Sequence, residues 1–467
     1  MKESDIRRLR EHYEKLLDEG THGYFEPDEL DMIAESYEQE MAYRKALQVV
    51  SHGLELYSSN EMLLLRKARC LLLLGRIEDA VKELASITER NIEYYFASAE
   101  CALMQEDIDA AMEAFNHIIS DADCVIEDCI DILDVCADYD RTELLDNITP
   151  RVEKKFDHVS PYLRELAMLY EEKEEDDKAI DLYNKVLDID PYSTDDWFSL
   201  AKVYARRKEY NKAIDACDFA LAIEGNDESI VAFKGYCYYD QGDYREAVEQ
   251  FEIFLQCTSD KAVAYELIAE AYGRMEKHEQ AIEYLLKAVE INDSSHDLYY
   301  QLAVNHYYMG EVDEAISYLR KAVACDDSDD EAHVFMGELL MQQEAYEEAY
   351  IHLLRTELAP VIDTVPASAL ADVCIHLQRY DEAVKVLELL LEQDPCEPHY
   401  LFDIILCYLQ LGDYQTAAEW VAHSDNISHD PEKLSSLDDS SRKTWNYIKE
   451  RIDELRNILS VYLDRKL

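Results

Sequence analysis

Small residues stand at Ala167, Ala201, Gly235, Ala269, Ala303, Gly337 and Ala371, each 34 residues from the next. A second column keeps step at Ala179, Ala213, Ala247, Ala281, Ala315, Ala349, Ala383 and Ala417, twelve residues after each position of the first. Self-similarity at a period of roughly 20–50 residues is the mark of a repeat architecture, in which each period is one supersecondary unit. Two small residues separated by a polar break such as Gln241-Gly242-Asp243 let two antiparallel helices cross with their backbones close together. Each period is therefore expected to be a helical hairpin.

Large apolar residues surround the crossing. Leu166, Leu200, Ile268, Leu302 and Leu370 precede the first small residue, and Tyr170, Tyr204, Tyr238, Tyr272 and Tyr408 follow its position by three. Spacings of one, three and four define one face of a helix. A further aromatic column, Tyr210, Tyr244, Tyr346, Tyr380 and Tyr414, precedes the second alanine by three and is expected to fasten each hairpin to its neighbour. Gly75, Gly242, Gly310 and Gly412 fall where a first helix must stop, as left-handed caps do. Asp190-Pro191 and Asp394-Pro395 mark the ends of second helices, because proline cannot continue one.

This pattern resembles the tetratricopeptide repeat, most fully in the unit carrying Trp197, Leu200, Ala201, Tyr204, Ala213 and Ala220, with Gly235, Tyr238, Ala247 and Phe251 nearly as complete. The fold expected is all-α, an α-α superhelical solenoid of about 12 stacked antiparallel hairpins. Residues 160–431 hold eight repeats in 34-residue register, and residues 27–124 hold three looser ones around Ala34 and Ala46, Ala68 and Ala80, and Ala99 and Ala111. Residues 125–159 have helical spacing without the paired small residues, and read as a degenerate repeat or a hinge. Residues 1–26 and 432–467 suit capping helices, since a solenoid needs a polar cover at each end. In the last segment Trp445, Ile448, Ile452, Leu455, Leu459 and Leu463 form one apolar stripe.

The formal charge is −57, from 102 acidic and 45 basic residues. A field of that sign repels phosphate backbones, which argues against nucleic acid, and attracts cationic protein segments in a salt-dependent way. The 11 glycines and 9 prolines are few for 467 residues, in keeping with helix throughout. No run approaches the ~18 apolar residues of a membrane span, and Met1–Gly20 lacks the apolar core of a secretory signal, so the expectation is a cytoplasmic chain away from membranes. The 12 cysteines include no Cys-x-x-Cys pair, and Cys217, Cys237 and Cys257 fall in apolar faces. They read as small core residues of a reducing compartment. Cys124, Cys129 and Cys136 are the densest group, but their spacings match no usual zinc-ligand pair.

The local signatures of catalysis are missing: no Gly-rich phosphate loop, no His-Glu-x-x-His and no Gly-x-Ser-x-Gly occur. Single histidines such as His278 and His306 stand on columns held elsewhere by tyrosine, which packing explains. The expectation is no enzyme, no cofactor and no metal. In the family that the sequence resembles, the first helix of each hairpin lines a concave groove that holds a peptide or a helix. Residues three before the first small column, and one or four after it, should then face inward. They are Phe198, Lys202, Tyr236, Tyr239, Glu266, Glu270, Tyr300, Tyr307, Glu338, Asp372 and Phe402. Family members that bind chaperone tails hold a C-terminal carboxylate with lysines and asparagines on this face, a set that Arg164 and Lys202 do not complete. The reading is a scaffold or adaptor for a partner with basic and apolar character. The alternative is a structural accessory subunit that uses its ends or edges, and an enzyme with a divergent site stands third.

Overall fold

The computed structural model describes residues 3–19, 23–356, 364–394, 397–428 and 439–464. Among them there is no strand, and nearly all are in α-helices joined by short turns. The chain divides into two compact units, Met1–Gly225 and Asn226–Leu467.

The first unit opens with a helix, Glu3–Asp18, that packs on the following pair: Arg10 reaches both oxygens of Glu40 at 2.6 and 2.8 Å, and Tyr13 is buried against Phe25. Six helix pairs follow, ending with Ser160–Glu172 and Asp176–Ile189, then Thr194–Arg206 and Tyr210–Ile223. Residues 125–159 supply one of these pairs, Ile126–Asp138 and Leu145–Lys155, the second carrying Pro150 inside it. The second unit stacks six more. Its first helices are Glu228–Gln241, Lys261–Arg274, His296–Tyr308, Asp330–Gln342, Thr364–His376 and Pro398–Leu411. Residues 395–396, 429–438 and 465–467, where the sequence reading placed Pro395 and part of the C-terminal segment, lie outside the described residues.

The hairpin geometry has one recurring device. A residue with positive φ sits at Glu174, Lys208, Gly242, Glu276, Gly310, Glu344, Gln378 and Gly412, again at 34-residue intervals, and Met41, Gly75, Glu106 and Asp140 take the same role upstream. After each, the next backbone N–H reaches back to the carbonyl five residues before it in the closing turn: Glu209 to Tyr204, Asp243 to Tyr238, Lys277 to Tyr272 and Asp413 to Tyr408, all at 2.9–3.0 Å. This is the left-handed closure foreseen at the four glycines, and eight further residues with a Cβ adopt it. First helices begin instead at side-chain caps, among them Ser193, Asp227, Asp260 and Ser295, whose oxygens accept from N–H groups of the first turn.

Both small-residue columns are fully buried, with every alanine of the second at 0 % exposure. At Gly235 an added Cβ would lie 2.5 Å from the Phe251 ring, and at Gly337 2.6 Å from Leu353, so these crossings are closer than alanine allows without movement. The aromatic column before the second alanine has two roles. Tyr346 stacks on His376 of the next hairpin at 4.4 Å, and His278, on the same column, stacks on Tyr308 at 5.0 Å. Tyr244 instead meets Tyr239 of its own hairpin, which departs from the expected fastening. His306 lies against Tyr318 at 5.1 Å. The helix Asp439–Asp464 buries Trp445, Ile448, Ile452 and Leu459 in the same core as Ile404, Ile405 and Val421 of the last hairpin. No helix among the described residues is long and apolar enough to cross a membrane.

Candidate binding face

Of the eleven residues projected onto the inner face, Phe198 and Lys202 belong to the first unit. The Lys202 ammonium stands 5.3 Å from the centre of the Phe198 ring, and Lys202 lines an open cleft with Glu165, Met168, Glu172 and Arg206 across two first helices. Arg164, one repeat earlier, is held elsewhere: its Nε and Nη2 each donate at 2.6 Å to a carboxylate oxygen of the buried Asp196.

The other nine lie in the second unit, on successive first helices. Tyr236 is 43 % exposed, with its ring edge-on to Phe251 at 5.5 Å. Its hydroxyl is held protonated to higher pH by partial burial and by the field of Glu270 and Glu266. Tyr239 donates to Glu270 at 2.6 Å and accepts from Arg274 Nε at 2.7 Å, while the Arg274 guanidinium also lies 5.8 Å from the Tyr239 ring centre. Partial burial and the Glu270 bond push the Tyr239 hydroxyl up to about 12. Glu266 accepts from Gln301 at 2.7 Å, and its proton affinity is raised, chiefly by desolvation. The lattice of these bonds binds three consecutive first helices. Between two of them an open cleft is lined by Glu270, Arg274, Tyr300, Gln301 and Tyr308, at Gly273, where both neighbouring repeats carry tyrosine.

Tyr300 and Tyr307 share Phe335, which each meets in edge-to-face geometry, at 6.2 and 5.4 Å with ring planes 66° and 90° apart. Glu338 is exposed beside them. Further along, burial raises the proton affinity of Asp372, and Asp403 is pushed up to about 6 by burial and by Asp372, against the opposing effect of His399. Phe402 is covered by a cation from the C-terminal helix, Arg451, at 5.1 Å.

Sequence projection missed Arg274, Gln301, Phe335, Asp403 and Arg451. The first four stand two residues before or five after the position of the small column, next to the columns used, so a wider helical stripe would have included them. Arg451 lies outside the repeats, and no column marks it. What the face offers is exposed rings, carboxylates and a few internally paired cations, the composition of a contact surface in which rings give anchoring area and charges choose the partner.

Profiles of the tetratricopeptide repeat match residues 260–328, 300–360 and 369–425. The chain is a tetratricopeptide repeat protein. A profile described as anaphase-promoting complex, cyclosome, subunit 3, matches residues 172–252 and 216–288. Among solved structures, MamA is 22 % identical over 37 % of this chain and 94 % of its own, with a TM-score of 0.35. The pilF protein of Pseudomonas aeruginosa is 22 % identical over 46 % and 98 %, at 0.36, and the APC/C hetero-tetramer Cut9-Hcn1 is 16 % identical over 96 % and 96 %, at 0.33. No curated protein matches. As a tetratricopeptide repeat array, the chain is in general terms a scaffold for protein interaction.

Proposed function

We propose that the acidic, aromatic face of the second unit binds an extended or helical segment of a partner protein with basic and apolar side chains, and that the chain is a cytoplasmic adaptor without catalytic activity. The observation that carries this reading is the run of exposed and half-buried rings among carboxylates, Tyr236, Glu266, Glu270, Tyr300, Tyr307 and Glu338, on consecutive first helices. A formal charge of −57 supports the same choice of partner, since it would draw a cationic segment in from solution. The test is to immobilise the chain, pass its own cell extract over it at low salt, and identify what elutes as salt rises. A salt-sensitive protein retained by the wild type and lost from a Tyr236→Ala/Tyr300→Ala variant supports the reading. Equal retention by the variant, or no specific partner, overturns it.

A second reading is an accessory subunit that joins a larger assembly through its ends or edges. The profile named for a subunit of the anaphase-promoting complex supports it, as does the C-terminal segment 432–467 with its 8 basic and 7 acidic residues. A chain acting this way would tolerate the two tyrosine changes and lose its partners when residues 432–467 are removed.

A further inference from the structure

Three rings on the inner faces carry a cation supplied by the chain itself: Lys202 on Phe198, Arg274 on Tyr239 and Arg451 on Phe402, with centroid distances of 5.3, 5.8 and 5.1 Å. The cluster made by Tyr300, Tyr307 and Phe335 breaks that pattern. Among the described residues no lysine or arginine lies over any of its rings, although Tyr307 is 39 % exposed and Phe335 meets both tyrosines in edge-to-face geometry. Around it stand Glu338 and Glu331, both exposed and neither in an ion pair among the described residues, and partial burial first, then their field with that of Asp329, hold the Tyr300 proton more firmly. Of the basic groups nearby, His296 is stacked on Tyr300 at 6.2 Å with its Nε2 already 2.6 Å from Asp329, and Arg274, which lines the same cleft as Tyr300, is taken by Tyr239.

A ring quadrupole and an uncompensated carboxylate attract the same ligand, a weakly hydrated planar cation, and guanidinium meets both demands better than ammonium does. We propose that the Tyr300, Tyr307 and Phe335 cluster beside Glu338 receives an arginine side chain of a protein partner, a cation of the kind that Phe198, Tyr239 and Phe402 receive from within the chain. This deepens the groove-binding reading and rests on it. The arginine stacks on the exposed Tyr307 ring and turns its N–H groups toward Glu338, so recognition at this point needs both the charge and the plane of the guanidinium.

The experiment titrates N-acetylarginine amide into the full chain carrying isotope-labelled tyrosine rings, with the Tyr300 and Tyr307 signals assigned from Tyr300→Phe and Tyr307→Phe variants. Saturable shifts of those two signals are expected, absent with N-acetylcitrulline amide, which keeps the shape and lacks the charge. Glu338→Gln and Phe335→Leu should each weaken the response roughly fivefold. Equal shifts with citrulline, or an unchanged response in both variants, overturn the proposal. Shifts confined to other tyrosines, such as Tyr236 and Tyr239, overturn this subsite and leave groove binding standing. No ring shift at all, together with unaltered partner capture by the Tyr236→Ala/Tyr300→Ala variant, overturns both.

Discussion

The Phe251 ring occupies the space where a side chain on Gly235 would begin, 2.5 Å from an ideal Cβ at that position. One repeat on, the same two positions hold Ala269 and Leu285, both buried. Gly235→Ala should therefore destabilise the chain by about 1–3 kcal/mol through overpacking, and Phe251→Leu in the same chain should restore part of the loss. Thermal unfolding of the two single variants and the double variant checks this. Strict additivity of the two changes would contradict the contact.

Arg164 and Asp196 form a two-point pair across one repeat, with the carboxylate buried. Removing the guanidinium by Arg164→Ala leaves that acceptor without its strongest partner, at a cost of roughly 1–3 kcal/mol. Arg164→Lys restores the charge without the fork, so it should recover only part of the stability in denaturant unfolding.

Eight of the hairpin turns hold a residue with a Cβ at positive φ. Glu276→Gly and Lys208→Gly should each raise stability by about 0.5–1 kcal/mol, because glycine takes the left-handed conformation without steric cost. Gly242→Ala, with φ at 92°, should lower it by a similar or larger amount. Melting temperatures of the three variants decide the matter, and a loss in the first two would show that the native side chains hold the turn.

Asp403 keeps its proton up to about pH 6, through burial and the neighbouring Asp372, partly offset by His399. The unfolded chain releases the same proton near pH ~4. The folded state thus binds more protons between these limits, and the stability from protonated Asp403 is fully present below the lower limit and is lost as pH rises through the upper one. Asp403→Asn should flatten that slope, with the largest gain at neutral pH. Unfolding midpoints measured from about pH 4 to about pH 7 should converge for the two proteins at the acid end.

The small columns, the glycine stops and the period itself were legible in the sequence because each repeat must solve one local problem, the close crossing of two helices, and solves it with the same residue sizes. Trp445, Ile448 and Ile452 were legible as a stripe for the same reason, and they are buried against the last hairpin. Pairings between repeats were not. Arg164 reads as an available cation until Asp196, 32 residues away, is seen to hold two of its nitrogens, and Arg274 reads as an ordinary surface residue until Tyr239 is found beneath it. Residue spacing fixes direction around a helix, but the tilt between neighbouring helices decides which of two adjacent columns reaches across.

The first small column and the inner-face positions lie on different sides of the same helices, and the second column lies on the other helix of each hairpin, a separation with an evolutionary consequence. Exchanging Glu338 or Tyr307 leaves Ala303, Gly337 and their crossings untouched, so affinity for one ligand can drift, or be rewritten, by single substitutions with little penalty in folding. Such an array behaves as a row of separately editable characters on a common page, and duplication of one hairpin would lengthen the text without disturbing what is already written.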